Sequence, residues 1–301
     1  MHRWGQRRTM IRYFAGMHGL GDNIYQRAFV KSLAKSGDVW LETPWPEIYG
    51  DLQNVHLVKP HSKLRTQAKN IKKSSNAVWC NPPSDHCIKV GYSDNGIMRG
   101  LRERFGVDSS SFDLPKFESP IKGDYAVIRP ATVRSEWAAS SRNPKPEYLA
   151  ECATQVLRSG LPVISVADLH QGAEWAVEPL PDATKRFHEG ELDVTQLLGL
   201  IANAKLVIGG IGWMLPAAIA YKVPGWFVFG GFGRYNNPEV LMDPSRMDIS
   251  KIGYALPDHF CKCGDGNHNC DKRISNHAEK FAKWLGRFPD LVSGTPNGVS
   301  P

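Results

Sequence analysis

Two glycine-rich turns, each between a short apolar stretch and a longer periodic one, constrain the fold of this chain most. The first occupies residues 16–22 and follows the apolar residues 11–15; the second occupies residues 209–212 and follows residues 206–208. Short apolar stretches before such turns predict buried strands, and the periodic segments after them predict helices. A strand, turn and helix unit that occurs in both halves predicts an α/β fold with parallel sheets.

The remaining apolar stretches extend the same alternation. Further strands are predicted at residues 39–42, 55–58, 77–79, 125–129, 162–166 and 225–229, and the last of these is predicted to close the second sheet. Helices are predicted at residues 24–33, 62–73, 97–105, 146–158, 194–202 and 213–221. Two facing Rossmann-like domains are the simplest architecture for this order, with ligands held in the cleft at the carboxyl ends of the strands.

The chain length also indicates two domains, because 301 residues exceed the usual size of one. Residues 106–122 are rich in Ser, Asp, Pro and Phe, as linkers between domains often are. We therefore predict an N-terminal Rossmann-like acceptor domain at 1–120, a C-terminal Rossmann-like donor domain at 121–290 and a loose tail at 291–301.

The ends and the apolar runs give no targeting signal. The basic start, residues 1–8, is not followed by the apolar core of a secretory signal, and the longest uncharged run, residues 206–221, is shorter than the ~18–20 residues of a membrane span. We expect a cytoplasmic protein with no transmembrane segment, for which peripheral membrane contact remains open.

Positive charge is concentrated in one segment of the N-terminal half. The net charge is +7, and no acidic residue occurs from residue 55 to 84. At helical spacing, this segment presents the candidate acceptor-binding or anion-binding residues Lys63, Arg65, Lys69, Lys72 and Lys73. The charge predicts an anionic acceptor, either a phosphorylated glycan or DNA, although a solvated basic helix is equally compatible.

Asp22 is the candidate reactive group of the first turn. Gly19 and Gly21 let the backbone bend, and Asp22 follows at the predicted start of a helix. Turn chemistry alone favours Asp22 as an N-cap. A carboxylate at the mouth of a nucleotide cleft would instead act as general base on an acceptor hydroxyl.

Two stretches resemble one enzyme family, the ADP-heptose:lipopolysaccharide heptosyltransferases, which have the GT-B fold. Gly19-Leu20-Gly21-Asp22-Asn23-Ile24 resembles the family's N-terminal motif, and residues 192–218 are similar to its helix, strand and donor-binding turn. Pro224 and Phe229-Gly230-Gly231 follow the same outline. The resemblance implies an inverting, metal-independent glycosyltransferase in which Asp22 is the catalytic base and no cofactor is required for catalysis.

The donor-binding turn departs from the family pattern. Gly210 and Leu215 occupy approximately the places where the family has an aspartate and a histidine that contact the donor, so the resemblance implies a divergent member. Glycines still allow a phosphate to approach closely, and free backbone N–H groups at a helix N-terminus bind anions. We predict Gly21, Gly210, Gly212, Trp213 and Met214 as donor-binding or phosphate-binding residues, although a simple packing turn is also compatible.

A basic loop follows the strand at 125–129. At about this place the resemblance implies a basic residue that faces the phosphates. Arg142, in Ser141-Arg142-Asn143-Pro144, matches that place best, and Lys145 is a second candidate. For Arg129 and Arg134 the solvated surface is the favoured interpretation.

Three cysteines and a histidine lie close together near the C-terminus. Cys261, Cys263, His268 and Cys270 supply the four ligands of a closed structural zinc site, with His259 or His277 as substitutes for His268. The Cys-x-Cys spacing differs from the usual zinc knuckle, so free thiols or a redox pair remain alternatives.

Together these features predict an enzyme that transfers sugar from a nucleotide-diphosphate sugar to a hydroxyl acceptor, such as an anionic glycan or a lipid-linked saccharide. One alternative is glycosylation of modified bases in viral DNA. Another is a catalytically silent module that binds sugar nucleotides.

Overall fold

The computed structural model describes residues 12–62, 64–84, 86–92 and 94–291. The strands are β1 Tyr13–Ala15, β2 Val39–Glu42, β3 Val55–Val58, β4 Trp79–Cys80, β5 Ile88–Lys89, β6 Ala126–Ile128, β7 Thr132–Arg134, β8 Val163–Val166, β9 Glu174–Ala176, β10 Lys185–Phe187, β11 Leu206–Gly210, β12 Gly225–Val228 and β13 Ile252–Ala255. The helices are α1 Leu20–Ala34, α2 Arg65–Lys73, α3 Ile97–Phe105, α4 Pro146–Arg158, α5 Val194–Asn203, α6 Met214–Tyr221, α7 Pro238–Leu241 and α8 His277–Leu285.

The N-terminal half contains a parallel sheet of five strands in the order β4-β3-β2-β1-β5. The strand order reverses between β1 and β5. In sheets of this type a crevice opens at that point, beyond the carboxyl ends of the two strands. The turn that leads to Asp22 follows β1, and Tyr92 follows β5, so both lie at this crevice.

The C-terminal half contains a parallel sheet of six strands in the order β10-β8-β6-β11-β12-β13. Its order reverses between β6 and β11. Arg129 directly follows β6, and Gly212 follows β11, so the sequence places both at the second crevice. The α/β fold with two parallel sheets that the sequence predicts is confirmed.

The two halves contact each other through their glycine-rich turns. A Cβ on Gly21, in the first turn of α1, would lie 3.1 Å from the Cα of Trp213, which precedes α6. Nearby, the Tyr25 hydroxyl donates to the backbone oxygen of Leu241 at 2.9 Å. Glycine at residue 21 is thus required by a close approach of the two backbones, and the two crevices open toward each other.

The described structure corrects one prediction for the second sheet. β12 does not close it, because β13 pairs along the outer edge of β12. β13 alternates between more and less exposed residues and contains Gly253, so it lacks the continuous apolar stretch that predicted the inner strands. The larger sheets draw their strands from opposite sides of residue 120, while the boundary itself stays a prediction. The predicted tail lies outside the described residues, apart from residue 291.

Candidate active site

A cavity of about 560 Å³ lies between the two crevices. This volume is within the range of sites that hold a small-molecule ligand. The cavity brings together many of the residues that the sequence predicts for the site: Gly21, Asp22, Lys69, Lys73, Arg142, Gly210, Gly212 and Trp213. Lys72 and Lys145 are exposed and do not line it, and neither do Arg65 and Met214.

Asp22 lies in the first turn of α1. The N-cap is Gly19, so the prediction of Asp22 as the N-cap is wrong, because the helix begins before it, at Leu20. The Asp22 carboxylate accepts a hydrogen bond from the Gly19 backbone N–H, and a Cβ on Gly19 would overlap that carboxylate. Burial raises the pKa of Asp22, while the positive charge of Arg142 and the Gly19 bond act in the opposite direction. The raised pKa makes Asp22 a stronger base than an exposed aspartate.

Two tyrosines lie near Asp22. Burial, followed by the negative charge of Asp22, raises the pKa of Tyr92 to about 12. Burial likewise raises the pKa of Tyr25. Both tyrosines line the cavity and stay neutral near pH 7, so they add hydroxyl groups to the site without adding charge. The sequence analysis missed Tyr92 because the strand before it, β5, is exposed and has no apolar stretch.

Arg142 faces Asp22 from the other half of the chain. It ends a short 3-10 helix, Ser140–Arg142, and its guanidinium lies 5.1 Å from the centre of the Trp137 ring. Among the described residues its Nε is buried without a hydrogen-bond partner. Burial lowers its pKa, and Asp22 and Tyr92 act in the opposite direction. Arg142 therefore holds a charged, partly unpaired donor at the cavity.

Three further arginines converge on one carboxylate. The Glu174 side chain is 0% exposed and pairs with Arg65 at 3.0 Å, Arg129 at 3.3 Å and Arg134 at 2.8 Å. Burial, followed by the charge of Arg134, lowers the pKa of Arg129 to about 10, which leaves it charged near neutral pH. The solvated positions favoured for Arg129 and Arg134 are thus wrong. No sequence pattern marks Glu174, since its arginine partners are far away in the chain.

The second glycine-rich turn leads into α6. Trp213 is the N-cap and Met214 the first residue of the helix. A Cβ on Gly212 would lie 3.5 Å from Arg129 Nη1 and 3.9 Å from Arg142 Nη2, so both guanidinium groups approach the N-terminus of α6. The helix dipole adds positive potential at the same point. This arrangement suits a ligand with two adjacent negative charges.

Gly210 has less room than Gly212. A Cβ there would lie 3.0 Å from Pro144 Cδ, a contact that would force the proline to move. The aspartate that the resembling family carries near this place would therefore require the Pro144 ring to shift by a few tenths of an ångström. The divergence at Gly210 is part of the local packing.

An apolar slot lies at one end of the cavity, beyond the carboxyl ends of β8 and β10. It is lined by Val166, Phe187, Leu192, Val194 and Leu197. α5 begins beside the slot with a capping box, in which the Asp193 carboxylate accepts from the Gln196 backbone N–H. A flat apolar group such as a nucleobase would bury its faces in this slot.

The basic helix α2 bridges the two halves. Arg65 and Lys69 each pair with Asp168 at 3.0 Å. Although burial acts in the opposite direction, hydrogen bonds from Lys69 and Arg65 hold the pKa of Asp168 below its ordinary value. Lys73 donates to backbone oxygens of Gly190 and Leu192. The candidate Lys63 lies outside the described residues.

Cys261, Cys263, His268 and Cys270 form a cluster whose residues do not line the cavity. Their ligand atoms all lie within 4.8 Å of one another. Cys263 Sγ is 3.5 Å from Cys270 Sγ, and His268 Nδ1 is 3.3 Å from Cys270 Sγ. Ligands at ~2.3 Å from a tetrahedral metal stand about 3.8 Å apart, so the cluster has the dimensions of a metal site.

Of the possible histidine ligands, only His268 lies in this cluster. His277 is buried in α8, where its ring bonds to Glu151 at 2.9 Å, and His259 is exposed. The proposed substitution of either residue for His268 is therefore wrong. In the described part of the chain no helix is both long enough and apolar enough to span a membrane.

Comparison with known proteins identifies similar structures but no similar sequences. No family model matches this chain, and neither does any curated protein. Among solved structures, the iron-containing dodecameric glycosyltransferase TibC from enterotoxigenic Escherichia coli is 15% identical, with a TM-score of 0.59 over 93% of this chain and 75% of that one.

Two further structures resemble this chain over nearly their whole length. A glycosyl transferase family 9 protein from Veillonella parvula is 13% identical, with a TM-score of 0.58 over 94% of this chain and 97% of that one. The Escherichia coli heptosyltransferase WaaC, solved with ADP, is 13% identical, with a TM-score of 0.54 over 92% and 99%. The chain has the GT-B fold of these proteins, as the motif resemblance implied.

Proposed function

We propose that this chain is an inverting glycosyltransferase that moves a sugar from a nucleotide-diphosphate sugar to a hydroxyl group of an acceptor. One observation carries the proposal. The Asp22 carboxylate of one half and the Arg142 guanidinium of the other line the same cavity, close enough for the charge of Arg142 to affect the pKa of Asp22. A general base and a phosphate-binding cation thus face each other across a cleft.

The reaction follows from this arrangement. Asp22 accepts the proton of the acceptor hydroxyl as its oxygen attacks the anomeric carbon of the sugar. The bond from that carbon to the phosphate oxygen breaks, and its electron pair leaves with the nucleoside diphosphate. Attack from the face opposite the leaving group inverts the anomeric configuration.

The leaving diphosphate gains negative charge, which Arg142 and Arg129 would stabilise together with the N-terminus of α6. Charge-assisted bonds from arginine do this without a metal ion. We therefore propose metal-independent catalysis. The apolar slot beside α5 would hold the nucleobase, and the sugar would lie between Asp22 and Gly212.

Replacement of Asp22 tests the proposal. Asp22→Asn removes the base but keeps the size of the side chain, so we expect donor binding to persist while turnover falls by about 10²–10⁴-fold. Donor binding is measured by thermal shift with a panel of sugar nucleotides, and transfer by mass spectrometry of the acceptor. Asp38→Asn is the control, because Asp38 pairs with His56 on the surface. Unchanged turnover in Asp22→Asn would remove Asp22 from the mechanism.

The acceptor is proposed to be anionic, either a phosphorylated glycan or a lipid-linked saccharide. Lys73 lines the cavity and Lys72 is exposed nearby, which supports the proposal. Arg65 and Lys69 support it less, since Asp168 and Glu174 already balance their charge. Modified DNA remains the alternative acceptor, and an absence of DNA binding at low salt would exclude it.

The second candidate function is a silent sugar-nucleotide-binding module. The glycine at residue 210, where the resembling family has an acidic side chain that contacts the donor, favours this alternative. Transfer from any member of the sugar-nucleotide panel would eliminate it. Binding of a sugar nucleotide without transfer to any tested acceptor would favour it.

We further propose that Cys261, Cys263, His268 and Cys270 hold a structural zinc ion. Three thiolates and one imidazole complete a tetrahedral shell and leave no open position for catalysis. TibC is described as containing iron, so iron is the main competitor. Elemental analysis of purified protein should give one zinc per chain. The variant Cys261→Ser should lose the metal, and the control Cys80→Ser should keep it. If the analysis instead gives one iron per chain, iron would replace zinc in the proposal.

A further inference from the structure

The loop at residues 261–270, here called the cysteine loop, contacts the short helix that carries Arg142. The Ser141 backbone N–H donates to the Gly266 oxygen at 3.0 Å, and the Ser141 hydroxyl donates to the Asp265 oxygen at 3.0 Å. Lys272, just beyond the loop, donates to the Ser140 oxygen at 2.6 Å. The cysteine loop and Lys272 thus hold the two residues that directly precede Arg142.

The segment at residues 230–233 lies between the cysteine loop and the Arg142 helix. A Cβ on Gly231 would overlap Cys270 Sγ, and a Cβ on Gly230 would overlap backbone atoms of Arg142 and Asn143. The Gly231 N–H donates to the Ser141 oxygen at 2.6 Å. Through residues 230–231, close contacts therefore connect the Cys270 sulfur to the backbone of Arg142.

The same segment is unusual in its backbone conformation. Phe232, between two glycines, has φ of 58°, a left-handed conformation that a bulky residue rarely adopts. The Gly233 N–H on one side of it donates to the Cys261 oxygen at 3.0 Å, and the Arg234 N–H donates to the Cys263 oxygen at 3.1 Å. Residues 261–263 of the cysteine loop thus hold this strained backbone in place.

Among the described residues, the Arg142 side chain lies against the Trp137 ring, which is 55% exposed, and its Nε has no hydrogen-bond partner. Its direction into the cavity therefore depends on the backbone of its short helix. That backbone depends in turn on the cysteine loop.

We infer that the metal-bound cysteine loop is the device that positions Arg142, with Ser141 and Lys272 as positioning residues, so that metal occupancy sets the affinity for a diphosphate. The inference rests on the proposed function for the identity of the ligand. The loop shapes the site by holding backbone, without itself touching substrate.

Amide hydrogen exchange tests the structural part without any ligand or activity. Protein purified with its metal is compared with the same protein after chelation and with Cys261→Ser. We expect the amides of Ser141 and Gly231 to exchange about tenfold faster or more without the metal, because both depend on the loop. Cys80→Ser should exchange like the wild type. Unchanged exchange at Ser141 after complete metal loss would overturn the inference.

A binding cycle tests the functional part. ADP and UDP are titrated by calorimetry into wild type and Arg142→Met, each with and without the metal. If the loop acts through Arg142, metal removal should weaken binding to the wild type by about tenfold or more. It should weaken binding to Arg142→Met far less, since the positioned group is gone. Equal weakening in both proteins would contradict the inference.

Lys272→Met provides a test that leaves the four ligands intact. It should retain the metal, show faster exchange at Ser141 and bind ADP or UDP more weakly than the wild type. Wild-type exchange and affinity in this variant would count against Lys272 as a positioning residue. If neither diphosphate binds any form of the protein, the proposed function fails, while the exchange experiment still decides whether the loop holds the Arg142 helix.

Discussion

Asp22 illustrates, at the scale of one residue, a conflict between stability and function. Its pKa in the folded state lies above its ordinary value of 3.8, mainly because it is buried. A carboxylate whose pKa is raised by folding contributes stability below the unfolded value, and that stability is lost as the pH rises through the folded value. The ionised form of Asp22 is therefore less favourable in the folded protein than in the unfolded chain.

Asp22→Asn should consequently be more stable than the wild type at neutral pH. We expect the midpoint of thermal unfolding to rise by about 2–4 °C at pH 7. The difference should shrink as the pH falls toward 3.8, where the wild type is also neutral. Differential scanning calorimetry across this pH range measures the effect. A variant less stable than the wild type at pH 7 would show that the Gly19 bond outweighs burial.

Arg142 should set the acid limb of the pH–rate profile. Its charge lowers the pKa of Asp22, so Arg142→Met should raise that pKa and move the acid limb of kcat/KM to higher pH. Arg142→Lys keeps the charge and should leave the limb near its wild-type place, even if its turnover is reduced. The profile of each variant is measured with saturating acceptor. An unmoved limb in Arg142→Met would mean that the limb does not report Asp22.

The site residues differed in how far sequence could predict them. Asp22 and Arg142 are predicted because they match places in the motifs of the resembling family, and the structure brings both to one cavity. Glu174 could not be named, because its three arginine partners are separated from it by 40 residues or more and by no regular period. Buried pairing of this kind depends on tertiary packing alone.

At the scale of elements, apolar content decided which strands the sequence could predict. The predicted bounds of β2, β3, α3 and α4 are those of the structure. β5, β7, β9 and β10 are about as short as the predicted strands β1 and β6, but each contains a charged residue and lacks a continuous apolar stretch, so the sequence analysis missed them. These short strands nevertheless place Tyr92, Arg134 and Glu174.

Helix α5 offers a test of packing against helix propensity. In an exposed helix, alanine is more stable than glycine by about 1 kcal/mol. A Cβ on Gly199, however, would overlap the backbone oxygen of Glu118, which belongs to the segment between the two sheets. Gly199→Ala should therefore destabilise the protein by about 1–3 kcal/mol, since the backbone must move.

Gly286→Ala is the matched control for this substitution. Gly286 follows α8 with φ of −60°, and a Cβ there would lie 3.5 Å from its nearest neighbour, the oxygen of Ala282. We expect the free energy of unfolding of Gly286→Ala to stay within about 0.5 kcal/mol of that of the wild type. Urea unfolding followed by circular dichroism compares the two variants. A stabilised Gly199→Ala would show that residues 117–119 move aside at little cost.

At the scale of the whole molecule, ion pairs bridge the cleft at separate places. Asp168 pairs with Arg65 and Lys69 of α2, and Asp94 pairs with Arg234 at 2.8 Å. A hydrogen bond from Arg234 lowers the pKa of Asp94, so this pair stays ionised at neutral pH. Each pair joins a residue of the N-terminal half to one of the C-terminal half. We therefore expect the separation of the two sheets to depend partly on charge.

Asp168→Asn should loosen this bridge, because it removes the partner of two cations at once. We expect a larger radius of gyration in small-angle X-ray scattering and a KM for the donor raised by about five- to tenfold, the cost of an unpaired, partly buried charge. Added salt should also increase the radius of gyration of the wild type, since it screens the exposed parts of these ion pairs. Asp124→Asn, which breaks an exposed pair with Lys205 within the C-terminal half, should change neither quantity. If Asp168→Asn kept the wild-type radius and KM, apolar packing of α1 against α6 would suffice to hold the cleft, and α2 would be free to bind an anionic acceptor.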